Sequence, residues 1–229
     1  MKNICLIPAR GGSKRIPKKN IKKFHGQPLI YWSIKAAKSS DLFDDIYVST
    51  DDLEIASIAE KYGAKVPFIR PKEISNDYAK DKAVREHFLQ WMSSNNLKVD
   101  ILCYLYATAP FINKKILLGC KNLLLESKSY LAHTVTTFQY PVLRALEQNE
   151  KGELSYKWPK YSDYRSQDLP ELLHDAGQCY FFNLNKNDKE RKRVGYRISR
   201  IYANDIDTLE DFEVAERLFE AILNNPKNK

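Results

Sequence analysis

Short apolar runs that favour β-strands alternate with segments of helical periodicity along most of the chain. The strand-like runs fall at residues 3–8, 45–50, 65–69, 100–107, 130–137 and 177–183. Apolar residues recur at helical spacing between them, over residues 28–40, 52–63, 81–95 and 114–127. Because parallel strands need a crossover connection, usually a helix, this alternation predicts an α/β domain with a mostly parallel sheet. Several runs are apolar on both faces, which is typical of a sheet covered by helices on both sides.

Capping patterns support the helical segments. Asp51 with Glu54, and Thr208 with Asp211, each have the spacing of a capping box before an apolar helical pattern. Gly63 is placed to end the first of these two helices. The second carries an apolar stripe that we expect to face the core, formed by Phe212, Ala215, Leu218, Phe219 and Ile222.

The alternation stops at the segment from Phe138 to Asp175. Its first half predicts two strands joined across residues 150–152, and its second half reads as an irregular loop with many aromatic and charged residues. An insertion of this length in a compact α/β domain usually serves function or an oligomer contact. We therefore expect one domain over residues 1–229, with an inserted excursion at 138–175.

Composition restricts the compartment and the class of partner. No apolar run reaches the length of a membrane span, and the N-terminal segment turns polar too early for a secretory leader. The four cysteines form no CxxC pattern, so we expect reduced, buried side chains in a cytoplasmic protein. The net charge of +8 favours an anionic partner, which is nucleic acid, a membrane surface or a phosphorylated small molecule. Charge alone does not distinguish these three.

The first predicted strand leads into a basic, glycine-containing loop, IPARGGSKRIPKKN, at residues 7–20. Loops at the carboxyl ends of parallel strands are where open α/β sheets bind ligands. Gly11 and Gly12 let backbone amides approach an anion, and the positive charge comes from Arg10, Lys14, Arg15, Lys18 and Lys19. The loop lacks both the Gly-Lys-Ser/Thr of a Walker A motif and the three spaced glycines of a dinucleotide fingerprint. It predicts a phosphate cradle, with a solvated basic turn or a nucleic-acid patch as alternatives.

Seven stretches, in order along the chain, match motifs of one enzyme family. The first motif reads P-A-R-x-x-S-K-x-x-x-x-K-N in the family, and its matches here are Pro8, Ala9, Arg10, Ser13, Lys14, Lys19 and Asn20. The others are STDD (49–52), RPKEIS (70–75), ATAP (107–110), RSQDLPE (165–171), DAGQ (175–178) and DIDT (205–208). In these stretches the chain resembles the cytidylyltransferases that activate nonulosonic acids, meaning sialic acids and their bacterial relatives. The resemblance implies a Rossmann-like nucleotidyltransferase fold with helices on both faces of the sheet and a small dimerisation excursion.

The resemblance also implies a reaction, in which CMP is transferred from CTP to the anomeric hydroxyl of the sugar and pyrophosphate is released. Negative charge accumulates on the phosphoryl oxygens and the leaving group, so positively charged groups stabilise the transition state. By resemblance, Arg10 and Lys19 are the catalytic residues that hold the triphosphate, and Arg70 lies at the cytosine end. The implied nucleotide-binding set is Ala9, Arg10, Gly11, Gly12, Ser13, Lys14, Lys19, Asn20 and Arg70. Asp81 is either a second base contact or the N-cap of the helix that follows it.

Asp205 and Asp207 occupy alternate positions, so on an extended segment both side chains point to the same face. Two carboxylates beside a triphosphate are hard oxygen ligands of the kind that Mg²⁺ uses. The spacing alone leaves a second interpretation open, in which one of them is a helix-start carboxylate near Thr208. The resemblance favours the Mg²⁺ site.

The sugar pocket differs from the sialic acid pattern. Tyr106 stands where those enzymes carry a glutamine that contacts the sugar, and the surrounding motifs look like the pseudaminic acid branch. Arg144 and Arg165 are expected partners for the sugar carboxylate, because a guanidinium binds a carboxylate in a bidentate manner. The expected sugar-binding set is Tyr106, Arg144, Arg165, Gln167, His174, Asp175, Gln178 and Tyr180.

The expected enzyme is therefore a Mg²⁺-dependent pseudaminic acid cytidylyltransferase that acts as a homodimer on CTP and the sugar, for bacterial surface or flagellin glycosylation. The same reaction on N-acetylneuraminic or legionaminic acid is the first alternative. A non-catalytic nucleic-acid-binding protein is the alternative from another class, and it rests on the charge of +8 and the basic loop. We expect neither nucleic acid nor a membrane as a partner.

Overall fold

A computed structural model of the chain describes residues 1–186 and 192–224. The strands in these two ranges are β1 (Asn3–Pro8), β2 (Lys23–Phe24), β3 (Gln27–Pro28), β4 (Asp45–Ser49), β5 (Ile101–Leu105), β6 (Leu131–Thr137), β7 (Leu146–Gln148), β8 (Leu154–Tyr156), β9 (Leu173–Asn183) and β10 (Arg193–Arg197). The α-helices are α1 (Leu29–Ser40), α2 (Leu53–Lys61), α3 (Asp81–Ser94), α4 (Lys114–Glu126) and α5 (Leu209–Leu223). The segment 225–229 of the expected single domain lies outside the described residues.

The core of the structure is a six-stranded sheet with the order β10-β6-β9-β5-β1-β4. The pairs β1–β4, β1–β5 and β10–β6 are parallel. Strand β9 is antiparallel to both of its neighbours, β5 and β6. The predicted mostly parallel α/β sheet is confirmed, with one reversed strand in its centre.

Helices cover both faces of the sheet, as predicted from the runs that are apolar on both sides. Alternate residues of β1 point to opposite faces. Cys5 and Ile7 belong to the buried cluster that α1 and α4 complete. Ile4 and Leu6 belong to the second cluster, which contains Phe88 of α3. All four cysteines are free and buried, as expected.

Helix α5 packs on a third apolar cluster that lies under the basic loop. Phe212 and Phe219 of α5 contact Phe24, with ring centroids 5.5 and 5.2 Å apart. Ile16 of the loop is 1% exposed and lies in the same cluster with Ile206. The predicted core stripe of the last helix is confirmed, and it fixes the middle of the loop against the segment that carries Asp205 and Asp207.

One of the two predicted capping boxes is wrong by one position. Asp52, and not Asp51, caps α2: its Oδ1 accepts from the amides of Glu54 and Ile55 at 2.8 and 3.1 Å. The side chain of Asp51 is therefore free to turn toward the basic loop. The box of Thr208 and Asp211 at α5 is confirmed.

Two strand predictions also differ from the structure. Residues 65–69 form only the isolated bridges Tyr47–Lys65 and Thr50–Ile69, since Pro67 lacks the amide that a continuous ladder needs. Strand β10 was not predicted from the sequence, because Arg193–Arg197 alternates exposed and half-buried residues without an apolar run. In the excursion, β7 and β8 form the predicted hairpin, and β9 begins at Leu173, slightly before the predicted end of the excursion at Asp175.

None of the helices in 1–186 and 192–224 has the length and hydrophobicity of a membrane span.

Candidate active site

A cavity of about 450 Å³ opens where β1 and β5 end. Pro8 is the last residue of β1, and Tyr106 directly follows β5; both line the cavity. The structure brings together nine predicted site residues in this cavity: Arg10, Ser13, Lys14, Lys19, Asn20, Arg70, Tyr106, Asp205 and Asp207. Ligand binding at the carboxyl ends of parallel strands is the rule for open α/β sheets.

The cations of the loop are paired with carboxylates from distant segments. Arg10 Nη1 and Lys14 Nζ each lie 2.6 Å from Asp77, and hydrogen bonds from Lys14 and Arg10 lower the pKa of the Asp77 carboxyl. Arg15 Nη2 lies 2.9 Å from Asp207. One wall of the cavity therefore carries both positively and negatively charged side chains. Such a wall suits an anionic ligand that binds together with metal ions.

Lys19 connects the basic loop to the segment that carries Asp205 and Asp207, called the acidic segment below. Its Nζ donates to the carbonyl of Ile206 at 2.6 Å and lies 3.2 Å from Asp207 Oδ1. Asn20 is 6% exposed, and its Nδ2 donates to the carbonyl of Arg10 at 2.9 Å. Lys19 therefore holds the acidic segment in place, and Asn20 holds the backbone of the basic loop at Arg10.

The backbone amides of the basic loop were expected to approach an anion. The amide of Gly11 donates to Asp51 Oδ1 at 2.9 Å, and the amide of Ser13 donates to the Gly11 carbonyl at 2.9 Å. These two amides are already bonded within the protein, so neither is available to an anion in this arrangement. Gly11 is required for a different reason, because an added Cβ would lie 2.6 Å from Asp52 Oδ2. Ala9 is buried, and its amide donates to the Ser49 carbonyl at 2.9 Å.

Arg70 is a buried cation on the wall of the cavity. It is 4% exposed, its Nε donates to Ser75 Oγ at 3.0 Å, and its Nη2 lies 3.9 Å from Asp51 Oδ1. Burial lowers the pKa of Arg70, and the charge of Asp51 opposes that effect. A guanidinium held this firmly is suited to recognise one polar edge of a ligand.

Asp81 is not a helix cap. It is the first residue of α3, after Lys80, and its two carboxylate oxygens accept from the hydroxyls of Tyr104 and Tyr106 at 2.9 and 2.5 Å. All three residues line the cavity. The N-cap alternative for Asp81 is therefore wrong.

Asp205 and Asp207 both line the cavity, next to the basic loop. Partial burial, followed by the charge of Asp207, raises the pKa of Asp205. Within the described ranges, no group of three or more His, Cys, Asp or Glu side chains is arranged to hold a metal ion. Two carboxylates fit an ion that takes its other ligands from phosphate and water, as Mg²⁺ does.

The residues predicted to bind the sugar are divided between two regions. Tyr106 packs against Tyr180, with ring centroids 5.6 Å apart, and the Tyr180 hydroxyl donates to Asp175 Oδ2 at 2.8 Å. Gln178 is 1% exposed and therefore does not line the cavity; its Nε2 donates to the carbonyl of Asn204 at 3.4 Å. Gln178 therefore contacts the segment that carries Asp205 in this structure, and its direct contact with the sugar stays a prediction.

Tyr106 lines the cavity, whereas the other four predicted sugar residues lie in or beside the excursion and do not line it. Arg165 is exposed and pairs with Asp168 at 2.6 Å, and Arg144 lies 3.5 Å from the hydroxyl of Tyr156. Gln167 lines a separate cavity of about 610 Å³ in the excursion. His174 is exposed at the start of β9, with its ring 4.8 Å from that of Phe138. The structure therefore leaves these side chains outside the cavity that the basic loop of the same chain lines.

A family profile described as Cytidylyltransferase matches residues 4–226. The chain belongs to the cytidylyltransferase family. It shares 42% identity over 225 residues with the pseudaminic acid cytidylyltransferase of Campylobacter jejuni subsp. jejuni serotype O:2, which covers 96% of this chain and 97% of that protein. It shares 32% identity with N-acylneuraminate cytidylyltransferase B of Danio rerio, over 93% of this chain and 50% of that protein.

The fold of this cytidylyltransferase is also found in solved structures. A CMP:2-keto-3-deoxy-manno-octonic acid synthetase complexed with CTP matches with a TM-score of 0.69 at 16% identity, over 96% of this chain and 99% of that one. A cytidylyltransferase from Leptospira borgpetersenii matches with a TM-score of 0.58 at 21% identity, over 100% of this chain and 96% of that one. These structures confirm the nucleotidyltransferase fold, and the family confirms that the chain is an enzyme.

Two polar residues of this cytidylyltransferase site were not considered in the sequence analysis, Asp77 and Tyr104, and Asp81 was considered only as a base contact or a helix cap. Asp77 lies 67 residues from Arg10 in sequence, and Asp81 lies 25 residues from Tyr106. Spacing along the chain carries no signal for such contacts, because they arise only when the loop before α3 closes over the end of the sheet. Tyr104 lies inside a strand that is buried along its whole length, where a tyrosine reads as a core residue.

Proposed function

We propose that the enzyme transfers CMP from CTP to the anomeric hydroxyl of pseudaminic acid, giving CMP-pseudaminic acid and pyrophosphate for bacterial surface or flagellin glycosylation. The observation that carries this proposal is the 42% identity with a pseudaminic acid cytidylyltransferase over nearly the full length of both chains. N-acetylneuraminic and legionaminic acid remain alternative substrates. The N-acylneuraminate enzyme from Danio rerio is less similar, at 32% identity over half of its length.

The nucleotide end of the reaction is assigned to the basic loop and Arg70. Arg10, Lys14 and Lys19 face one cavity, where their charges would stabilise the triphosphate and the departing pyrophosphate. The sugar hydroxyl attacks the α-phosphorus and loses its proton to solvent. The bond between the α-phosphorus and the oxygen that bridges to the β-phosphate breaks, and its electron pair leaves with pyrophosphate. Arg70 would contact the cytosine edge. Convergence of these cations with carboxylates inside a cavity favours a small anionic substrate over a nucleic-acid surface.

Asp205 and Asp207 would hold Mg²⁺ in this proposal. When bound, the ion would neutralise phosphate charge and polarise the phosphoryl oxygens. The two side chains themselves provide the hard oxygen ligands, and Lys19 holds Asp207 in position through its bond of 3.2 Å. Arg15 limits the rotation of Asp207 from the other side, at 2.9 Å.

The sugar is proposed to bind beside Tyr106, with Asp175 and Tyr180 behind that ring. The remaining four predicted sugar residues lie away from the cavity of their own chain, so we propose that they reach the sugar site of a partner subunit; they are Arg144, Arg165, Gln167 and His174. This arrangement requires a homodimer formed through the excursion. Exposed apolar side chains support that contact, among them Tyr140, Leu146, Leu154 and Tyr164, which are 75%, 53%, 63% and 51% exposed. The cytoplasmic location also remains part of the proposal, in keeping with four free thiols.

The dimer is tested at the hairpin of β7 and β8. We expect light scattering at micromolar concentration to give twice the chain mass of 26.6 kDa. Leu146→Glu with Leu154→Glu should convert the protein to a monomer, because both leucines would lose an apolar partner and gain charge. Leu53→Glu is the matched control, since Leu53 is 73% exposed on α2, and it should stay dimeric. A monomeric parent protein would contradict the proposal.

The reaction is tested by following CTP, Mg²⁺ and pseudaminic acid with ³¹P NMR. The proposal predicts equal amounts of pyrophosphate and of one phosphodiester whose mass corresponds to CMP-pseudaminic acid. CTP hydrolysis without a phosphodiester product, or no reaction with any nonulosonic acid, would contradict it.

A further inference from the structure

We propose that Asp81 is a positioning residue for sugar selectivity: it holds the hydroxyls of Tyr104 and Tyr106, so that these rings present an apolar wall to the sugar. This inference rests on the proposed function, and it concerns which sugar is accepted rather than whether CMP is transferred. Asp81 belongs to none of the motifs that identify the family in this chain.

Asp81 uses both carboxylate oxygens for this task. Oδ1 accepts from the hydroxyl of Tyr104 at 2.9 Å, and Oδ2 accepts from that of Tyr106 at 2.5 Å. A phenol has one proton to donate, so each hydroxyl has already used its donor. Burial, followed by the hydrogen bond that Tyr106 donates to Asp81 and by the negative charge of Asp81, raises the pKa of Tyr106, so the hydroxyl stays protonated at neutral pH.

A second carboxylate repeats the arrangement one ring further along the sheet. Tyr106 packs on Tyr180 at 5.6 Å, and the Tyr180 hydroxyl donates to Asp175 Oδ2 at 2.8 Å. Asp175 Oδ1 accepts from the amide of Gly177 at 2.9 Å, which fixes the carboxylate. His133 stacks on Tyr180, with ring centroids 5.7 Å apart and an interplanar angle of 15°. Tyr104 and Tyr106 line the cavity, and the phenolic protons of all three tyrosines are donated to carboxylates.

Such a wall distinguishes sugars by the polarity of their side chain. A methyl group packs against ring carbons without losing any hydrogen bond. A hydroxyl placed there loses its hydrogen bonds to water, and it finds no free donor from which to accept a new one. The pseudaminate side chain ends in a methyl group where that of N-acetylneuraminate carries a hydroxyl. We therefore assign the preference for a deoxygenated nonulosonic acid to the bonds between Asp81 and the two tyrosines.

The test is Asp81→Asn, which keeps the size of the side chain but leaves one acceptor oxygen for two phenols. One phenolic proton then becomes available to a sugar hydroxyl. We expect kcat/KM for pseudaminate relative to N-acetylneuraminate to fall by about tenfold, with the KM for CTP changed by less than about threefold. Asp41→Asn makes the same change at a surface ion pair with Lys114 and should leave the ratio unchanged.

Tyr106→Phe removes the hydroxyl and keeps the ring, so it distinguishes the role of one from that of the other. If the hydroxyl serves only to hold the ring, this variant keeps the selectivity ratio even where both kcat/KM values fall. Adding Tyr106→Phe to Asp81→Asn should restore part of the ratio that the single Asp81 variant loses. Thermal unfolding of each variant shows whether it is folded. If Asp81→Asn does not fold, the selectivity ratio of Tyr106→Phe alone tests the inference.

Three outcomes overturn the inference: equal loss of kcat/KM for both sugars in Asp81→Asn, a raised KM for CTP with an unchanged ratio, or collapse of the ratio in Tyr106→Phe. The second outcome would make Asp81 a nucleotide contact. A parent enzyme that does not use pseudaminate would instead refute the proposed function. The two failures are therefore distinguishable in one set of assays.

Discussion

Asp205→Ala is expected to lower kcat by about 10³-fold at saturating CTP, sugar and Mg²⁺, the largest effect of any single substitution at this site. The variant removes one of the two carboxylates that line the cavity beside the basic loop, where we propose that the triphosphate binds. The remaining carboxylate, Asp207, is already engaged by Arg15 and Lys19 at 2.9 and 3.2 Å, so it cannot take over the whole role. Steady-state pyrophosphate release over a Mg²⁺ titration measures both the loss and any shift in metal requirement.

Glu210→Ala is the matched control for Asp205→Ala. Glu210 is an exposed carboxylate in the first turn of α5 and lies outside the cavity. Its removal should change kcat by less than about threefold, as for other surface positions. Near-normal activity of Asp205→Ala with an unchanged Mg²⁺ requirement would refute the assignment of Asp205 as a metal ligand.

Lys19→Ala is expected to lower kcat/KM for CTP by about 10² to 10³-fold. Two effects combine in this variant. It removes a cation from the wall where phosphate charge develops, and it breaks the 2.6 Å bond to the Ile206 carbonyl that joins the loop to the acidic segment. The second effect should appear as a weaker response to Mg²⁺, because Asp207 loses one of its partners.

Lys19→Arg and Lys23→Ala are the comparisons for this variant. The arginine retains the charge but not the geometry, so we expect it to recover only part of the activity. Lys23 is exposed on the nearby strand β2, and its replacement should be silent. A change confined to the KM for the sugar would contradict the assignment of Lys19 to the triphosphate.

The general fold follows from local patterns, because each crossover unit carries its own strand and helix signals. The reversal of β9 does not, since an apolar run reads the same in either direction. The capping error at α2 has a similar origin: Asp51 and Asp52 are adjacent carboxylates, and only the packing of the basic loop decides that Asp52 caps the helix. That choice leaves Asp51 to bind the Gly11 amide.

The side of the cavity formed by the basic loop was more predictable than the side around Tyr106, where we propose that the sugar binds. Arg10, Lys14, Lys19 and Asn20 lie on one continuous loop, so their spacing carries the information. The side around Tyr106 is assembled from separate segments, since the partners of Tyr106 come from α3 and β9. Burial of Gln178 was not predictable either, because a glutamine next to a functional motif reads as a ligand contact until the sheet places it underneath.

Activation of pseudaminic acid by this cytidylyltransferase can be measured as pyrophosphate release from CTP, with kcat/KM determined for pseudaminate, legionaminate and N-acetylneuraminate in parallel. We expect a clear preference for pseudaminate, with the other two sugars used about tenfold less efficiently or worse. A preference for legionaminate or N-acetylneuraminate would contradict it.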